Sequence, residues 1–315
     1  MNPYVFIVGC SRSGTTLLRR VVGAHPEIAV MPETHFIPRL APNCRGIGPD
    51  GLVTDVLVDW LVAYERFPRL KLDADDVRAL ISDGVTYSDF VRALFDRYGA
   101  KRRKPLVAEK TPSYVAEIPT LHALFPEARF VHLIRDGRDV CLSVLSWERK
   151  AEDFAQRFRT WRSDPVVTTA LWWRNFVTLG CEDGPELGPE LYLELRYEAL
   201  VADPEEECRR LCAFLDVEYD ERMLRFHEGK TKSDPTLSAK AAWLPITPGL
   251  RDWRTQFPVE ELEAFEAAAG DLLEDLGYER GVPRPGEAAR SRATRVASIC
   301  APDLPRRHPV PVGVL

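Results

Sequence analysis

Three groups of residues in this chain have the types and spacing to hold an anion and do chemistry beside it. The first is Gly9-Cys10-Ser11-Arg12-Ser13-Gly14-Thr15-Thr16, a polar loop bounded by glycines. Its spacing is that of G-x-x-x-x-G-K-[ST], with Thr16 in the last position. Thr15 stands where a nucleoside triphosphatase carries its lysine, which argues against a triphosphate and leaves a backbone cradle for one anion. Arg12 supplies a positive charge from inside the loop. The second group is Arg135, at the end of the apolar run Phe130-Val131-His132-Leu133-Ile134, with Ser143 on the helix pattern that follows. The guanidinium fork suits phosphate oxygens, so this pair can clamp a second anion. The third is Glu33 and Lys110, each directly after a strand pattern. Residues there lie on the carboxyl edge of an open α/β sheet, where ligands bind. Plainer readings stand beside these: a tight strand-to-helix turn for the loop, a helix-start acid for Glu33 and a surface lysine for Lys110.

The elements around these residues are legible. Tyr4-Val5-Phe6-Ile7-Val8 is apolar, β-branched and uncharged, the pattern of a buried strand, and Leu17-Leu18-Arg19-Arg20-Val21-Val22 opens a helix after the loop. Shorter strands are expected before Glu33, over 106–108, over 129–134 and over 190–195. Strands alternating with helices predict a P-loop-like three-layer α/β/α fold with a central parallel sheet. Residues 43–104 read as a helical insertion, on the spacing of Val53, Leu57, Trp60, Leu61 and Tyr64 and of Phe90, Val91, Leu94 and Phe95. It could wall a pocket or only cap the sheet. Lys101-Arg102-Arg103-Lys104 reads as a solvated loop. His132, mid-strand, reads as a packed core residue. The helix pattern over 165–180 carries Trp172, Trp173 and Phe176, mostly for the core. Residues 228–254 form a long loop region, of the kind that serves as a lid or is disordered. From 282 onward Pro, Arg, Ala and Ser dominate, which predicts a domain over 1–281 and a disordered basic tail over 282–315.

The whole-chain totals limit the function classes. The chain has 315 residues, 45% hydrophobic and 29% charged, with a formal net charge of −6, the profile of an ordinary globule with no general attraction for nucleic acid. The seven cysteines show no C-x-x-C pair, and no repeat or metal-ligand cluster is visible. No signal peptide and no run long enough for a membrane span are evident, so a reduced, cytoplasmic protein is expected.

The loop Ser11–Leu17 and the element Arg135-Asp136-Gly137-Arg138-Asp139 through Ser143 together resemble the sulfotransferases that use 3′-phosphoadenosine 5′-phosphosulfate (PAPS). The first looks like that family's 5′-phosphosulfate loop and the second like its 3′-phosphate element. Met31-Pro32-Glu33-Thr34-His35-Phe36-Ile37-Pro38-Arg39 is similar to the E-T-R-x-x-P-R stretch of the tyrosylprotein sulfotransferase-like branch, in which the glutamate is the base. Lys110 matches a lysine acting on the sulfonate, Tyr197 an adenine-contacting tyrosine and Ser238 a cofactor-loop serine. His35 replaces the arginine of E-T-R, and with Arg39 it falls on the acceptor side. The basic pair before the family's G-x-x-G-D-W-K segment is missing from Thr247-Pro248-Gly249-Leu250-Arg251-Asp252-Trp253-Arg254, where Arg251, Arg254 or Lys240 could substitute.

The resemblance implies sulfuryl transfer to a hydroxyl, by positioning and charge stabilisation as in phosphoryl transfer. Glu33, Lys110 and Arg12 are then catalytic. Arg12, Ser13, Gly14, Thr15, Thr16, Arg135, Ser143, Tyr197 and Ser238 bind the cofactor PAPS, and the product is adenosine 3′,5′-bisphosphate. The acceptor is a small-molecule or peptide-like hydroxyl, with no nucleic acid partner and no metal. Two other readings are a P-loop kinase or NTPase, with Asp136 as its Mg²⁺ acid, and a catalytically degenerate nucleotide-binding protein on the same fold.

Overall fold

The computed structural model describes residues 4–38, 46–81, 84–228, 244–247 and 251–307. Its centre is a five-stranded, all-parallel sheet in the order β2-β3-β1-β4-β5. The strands are β1 (Val5–Gly9), β2 (Ile28–Met31), β3 (Leu106–Lys110), β4 (Arg129–Ile134) and β5 (Tyr192–Arg196). β1 is fully buried, as a strand covered on both faces must be. Val5 and Ile7 pack on one side with Leu18, Val21 and Leu211, while Phe6 and Val8 pack on the other with Phe95, Phe130 and Trp173. The first side is covered by helices α1 (Thr15–Ala24) and, later in the chain, Pro204–Leu215. The result is the expected three-layer α/β/α arrangement.

The order reverses at β1. The chain leaves it for β2 at one edge, returns beside it as β3, and then crosses to β4 on its other side. Register aligns Met31 with Glu109 and Ile7 with Lys110, so the chain following β2, β3 and β1 emerges at one level. That shared carboxyl edge is where a parallel sheet binds ligands.

Residues 46–81 and 84–104 hold helices α2 (Asp55–Ala63), α3 (Ala74–Arg78) and α4 (Tyr87–Arg102), packed on the Phe6 side. Trp60 stacks on Tyr64 with ring centroids 5.1 Å apart, and both meet Phe36 edge-on. The basic run Lys101-Arg102-Arg103-Lys104, expected as a solvated loop, instead forms the end of α4 and the turn after it. Lys104 Nζ donates to the carbonyls of Gly23, His25 and Ile28 at 3.0, 2.6 and 2.9 Å, closing the turn between α1 and β2. His132 is fully buried, and its Nδ1 shares a 2.6 Å hydrogen bond with the Tyr192 hydroxyl.

The remaining helices are α5 (Ile118–Leu124), α6 (Gly137–Leu145), α7 (Glu148–Arg157), α8 (Pro165–Asp183), α9 (Tyr197–Ala202), α10 (Pro204–Leu215), α11 (Trp253–Gln256), α12 (Val259–Asp275) and α13 (Glu287–Cys300). The last corrects the expectation of a disordered tail. α13 buries Ala289, Ala293, Val296 and Cys300 along one stripe, against α8 and α12. Arg292 enters the same seam and pairs with Asp164 at 2.6 Å and Glu261 at 2.8 Å. Small side chains make a weak hydropathy signal, yet they allow close helix approach, and the arginine's charge is met by two carboxylates.

Deleting residues 287–307 is therefore expected to lower the melting temperature, because it uncovers α8 and α12. Scanning calorimetry of the truncated and full chains checks this. Coincident transitions would show that α13 contributes nothing to the domain.

Candidate active site

The phosphate loop follows directly from β1. Arg12 and Gly14 take positive φ angles of 77° and 96°, which turn the chain sharply enough for α1 to start at Thr15. A Cβ on Gly14 would collide with the Tyr197 ring. No side chain caps α1, so its first N–H groups and its positive dipole end remain available to an anion. The Ser13 hydroxyl, buried in the loop, has no partner among the described residues.

Arginines gather around this loop. Arg12 Nε donates to Ser143 Oγ at 3.0 Å, and its guanidinium lies 4.4 Å from the centre of the Trp147 ring. Arg135 stacks on Tyr197 at 4.1 Å and reaches Asp139 at 3.3 Å, while its buried Nε has no partner among the described residues. Arg251 donates to Ser146 Oγ at 2.7 Å. Burial, and then the like charges of Arg251 and Arg135, push the Arg12 pKa below its ordinary value. Cationic crowding of this kind fits a ligand with more than one negative charge. Ser13 and Arg135 keep donors free for it, so the residues present fit a nucleotide carrying separate anionic groups.

The rest of the Arg135-to-Asp139 stretch is scaffold. Arg138 is fully buried between Asp136 and Glu266, at 2.7 Å from each, and stacks on Trp253 at 3.5 Å. Asp136 also caps α6 by accepting from the Arg138 N–H. Its carboxylate is thus occupied, which removes the Mg²⁺ acid that the kinase reading needs. Burial raises the Asp139 pKa to about 6 against the pull of Arg135, and Asp139 accepts from the Trp253 N–H at 3.0 Å. This ties the segment after Arg251 to the second anion element.

On the other side of β1, Lys110 at the end of β3 forms an ion pair with Glu33. His35 Nε2 lies 3.2 Å from Glu33, and Arg66 from the insertion approaches to 3.8 Å. The Lys110 side chain is 4% exposed and that of Glu33 34%, so the carboxylate is the member an incoming molecule can reach. Burial alone would raise the Glu33 pKa, but His35 and Lys110 outweigh it and hold the group below the ordinary carboxylate range. His35 has a φ of 57°, an uncommon backbone state for a non-glycine residue.

That state is held from beneath. Glu109 is fully buried, and its Oε1 accepts from Thr34 N and Thr34 Oγ1 at 3.0 Å each and from Thr111 Oγ1 at 2.5 Å. Tyr114 closes the network, 2.7 Å from Thr34 Oγ1 and 3.1 Å from the Ile37 N–H it accepts. Burial pushes the Glu109 pKa up to about 7 despite these donors.

The structure thus brings Arg12, Ser13, Gly14, Thr15, Thr16, Arg135, Ser143 and Tyr197 to one region, with Glu33, Lys110 and His35 beside it on the same sheet edge. Arg39, Ser238 and Lys240 lie outside the described residues. The sequence reading missed Arg66, Trp147 and the Glu109 network. It also missed His132, Cys181 and Glu194, whose ligand atoms lie within 4.8 Å of one another. Burial lowers the His132 pKa to about 3 and raises that of Cys181 to about 12, so both side chains are neutral near pH 7.

A phosphate-type loop, a neighbouring arginine element and a lysine-paired carboxylate thus lie on one parallel-sheet edge, an arrangement suited to group transfer. Residues 3–221 match the model of the "Sulfotransferase family", and the chain belongs to that family. It is 29% identical over 291 residues to protein-tyrosine sulfotransferase A of Caenorhabditis elegans, covering 88% of this chain and 68% of the relative. With human protein-tyrosine sulfotransferase 1 it shares 25% identity over 321 residues, covering 98% of this chain and 80% of the relative. Among solved structures, the sulfotransferase domain of the Synechococcus PCC 7002 olefin synthase superposes with a TM-score of 0.60 at 27% identity, covering 88% of this chain and 95% of that one. The kinase and NTPase readings find no support.

Glu109 generates a pH prediction. An acid whose folded pKa is raised favours folding below its unfolded value near 4.5 and loses that contribution as pH rises toward about 7. Glu109→Gln keeps the accepting oxygen and removes the titration. Its stability relative to wild type should therefore improve from pH 4.5 to 7.5, as measured by urea unfolding. A constant difference across that range would show that Glu109 does not titrate there.

Proposed function

We propose that this sulfotransferase moves the sulfuryl group from PAPS to a hydroxyl acceptor and releases adenosine 3′,5′-bisphosphate. The observation carrying this is that two anion-holding elements meet, the Arg12 loop and the helix bearing Ser143, with Arg135 beside them. A nucleotide with phosphates at two positions suits such a pair better than a linear triphosphate. Arg12, the loop N–H groups and Thr16 would hold the 5′-phosphosulfate, Arg135 and Ser143 the 3′-phosphate, and Tyr197 the adenine. Arg251 is the leading substitute for the missing basic pair. Bound there, the donor supplies a sulfuryl group on a phosphate leaving group.

Glu33 takes the proton of the acceptor hydroxyl. Its depressed pKa keeps it ionised at neutral pH, and Lys110 and His35 fix its orientation. Lys110 ends the strand between those leading to Glu33 and to the loop, so its charge can serve both base and transferring group. The acceptor is a small-molecule or peptide-like hydroxyl, a reading supported by the protein-tyrosine sulfotransferases among the relatives. A reducing, cytoplasmic setting is part of this proposal, supported by the free thiols of Cys10, Cys141, Cys181, Cys208, Cys212 and Cys300.

Adenosine 3′,5′-bisphosphate should raise the melting temperature well above the effect of adenosine 5′-phosphate. A ligand at about a hundred times its dissociation constant adds roughly 2.7 kcal/mol. Arg135→Ala should abolish the difference, and equal shifts by the two nucleotides in the wild type would sink the proposal. For the base, Glu33→Gln should lower kcat by about 10²–10⁴-fold with little change in nucleotide affinity. The wild-type kcat/KM should show no acid limb from Glu33 until pH falls below the ordinary carboxylate range. A limb between pH 5 and 7 that disappears in His35→Asn would give the proton to histidine instead.

A further inference from the structure

Beside the base lies a cavity of about 440 Å³, within the range of small-molecule sites. Ser11 of the phosphate loop and His35 are among its lining residues. Tyr114, Phe154, Trp172 and Phe176 give it an aromatic lining. Pro305 and Arg306, from the segment that follows α13, also line it. That segment follows residues 3–221, the stretch that the family model matches.

That segment is anchored. Asn175 Nδ2 of α8 donates to the Pro305 carbonyl at 2.9 Å. Arg307 pairs with Glu182 at 2.6 Å and Asp183 at 2.9 Å, and Arg159 with Asp303 at 3.3 Å. Arg306 stands between these fastenings, exposed, on the cavity. The cavity's other charged side chains, Glu117, Asp153 and Arg157, are each engaged in an interaction within the chain. Arg306 has no ion pair or hydrogen bond among the described residues, so it is the charge left for a visitor.

Building on the sulfotransferase reading above, we propose that the C-terminal segment selects the acceptor: a phenolic hydroxyl compound whose ring occupies the aromatic cavity and whose anionic substituent meets Arg306. Planar rings stack or pack edge-on against an aromatic lining, and a guanidinium at the rim rewards a carboxylate or similar group.

The test uses three phenols of similar size with PAPS as donor: 4-hydroxyphenylacetate, 4-ethylphenol and tyramine. In the wild type, kcat/KM should fall in that order, from carboxylate to neutral to ammonium. An exposed ion pair contributes up to about 1 kcal/mol, so each step is expected to be about fivefold or less. Arg306→Ala should level the series and Arg306→Glu should invert it, with the melting shift from adenosine 3′,5′-bisphosphate unchanged. Asn175→Ala should raise KM for all three phenols without moving that shift. A wild type stabilised by the bisphosphate that turns over none of the phenols would overturn the phenolic acceptor. Turnover with the same order in every variant would overturn the role of Arg306. Absence of any bisphosphate shift would instead strike the sulfotransferase reading on which this rests.

Discussion

The site depends on the ion pair between Lys110 and Glu33. A lysine ammonium that is almost fully buried needs a compensating charge, and this one finds it in a carboxylate from the neighbouring strand's end. The pair fixes the distance between β3 and the turn after β2. It also sets the character of the base, which is held ionised and aimed by the charge beside it. Arg66 and His35 add to the same field, so the helical insertion contributes to the electrostatics of the sheet edge. Glu109, one residue before Lys110, works at a deeper level. Strand alternation puts these two side chains on opposite faces, and the carboxylate of Glu109 gathers the backbone that carries Glu33.

The positive side of the site has a different logic. The chain carries a net charge of −6, yet around the loop Arg12, Arg135 and Arg251 meet with Asp139 as the acid beside them. Aromatic faces relieve part of this concentration, Trp147 under Arg12 and Tyr197 under Arg135. Such planar partners hold a guanidinium in place without neutralising it, which leaves its charge for a ligand. Arg138 shows the contrasting solution. Buried between two carboxylates, it is spent on joining α6 to α12.

How much of this could be read from the sequence follows from range. Gly9–Thr16 carries its own signal because strand, loop and helix are contiguous. Glu33, Lys110 and Arg135 were legible as strand ends, and parallel strand ends share one edge. Arg66 and Trp147 reach the site only through tertiary packing, and no spacing announces them, whereas Arg251 was a candidate from its place beside the Asp252-Trp253 segment. Glu109 read as an ordinary residue beside a more conspicuous lysine. α13 was missed because alanine and cysteine give little hydropathy contrast, although Ala289, Ala293, Val296 and Cys300 keep helical spacing. For Arg39 and Ser238, outside the described residues, only the resemblance speaks.

The position of β1 has a consequence for how the protein comes into being. The central strand of the sheet leaves the ribosome well before its partners, because β3 and β4 are encoded about a hundred residues or more downstream of it. At a synthesis rate of about 5–20 residues per second, the run Val5-Phe6-Ile7-Val8 waits on the order of five to twenty seconds for its first hydrogen-bonded neighbour. During that interval it is an uncharged, β-branched segment with both edges open, a substrate for chaperones or for a second nascent chain. The same strand that later anchors the phosphate loop is thus the segment most exposed to misassembly during translation.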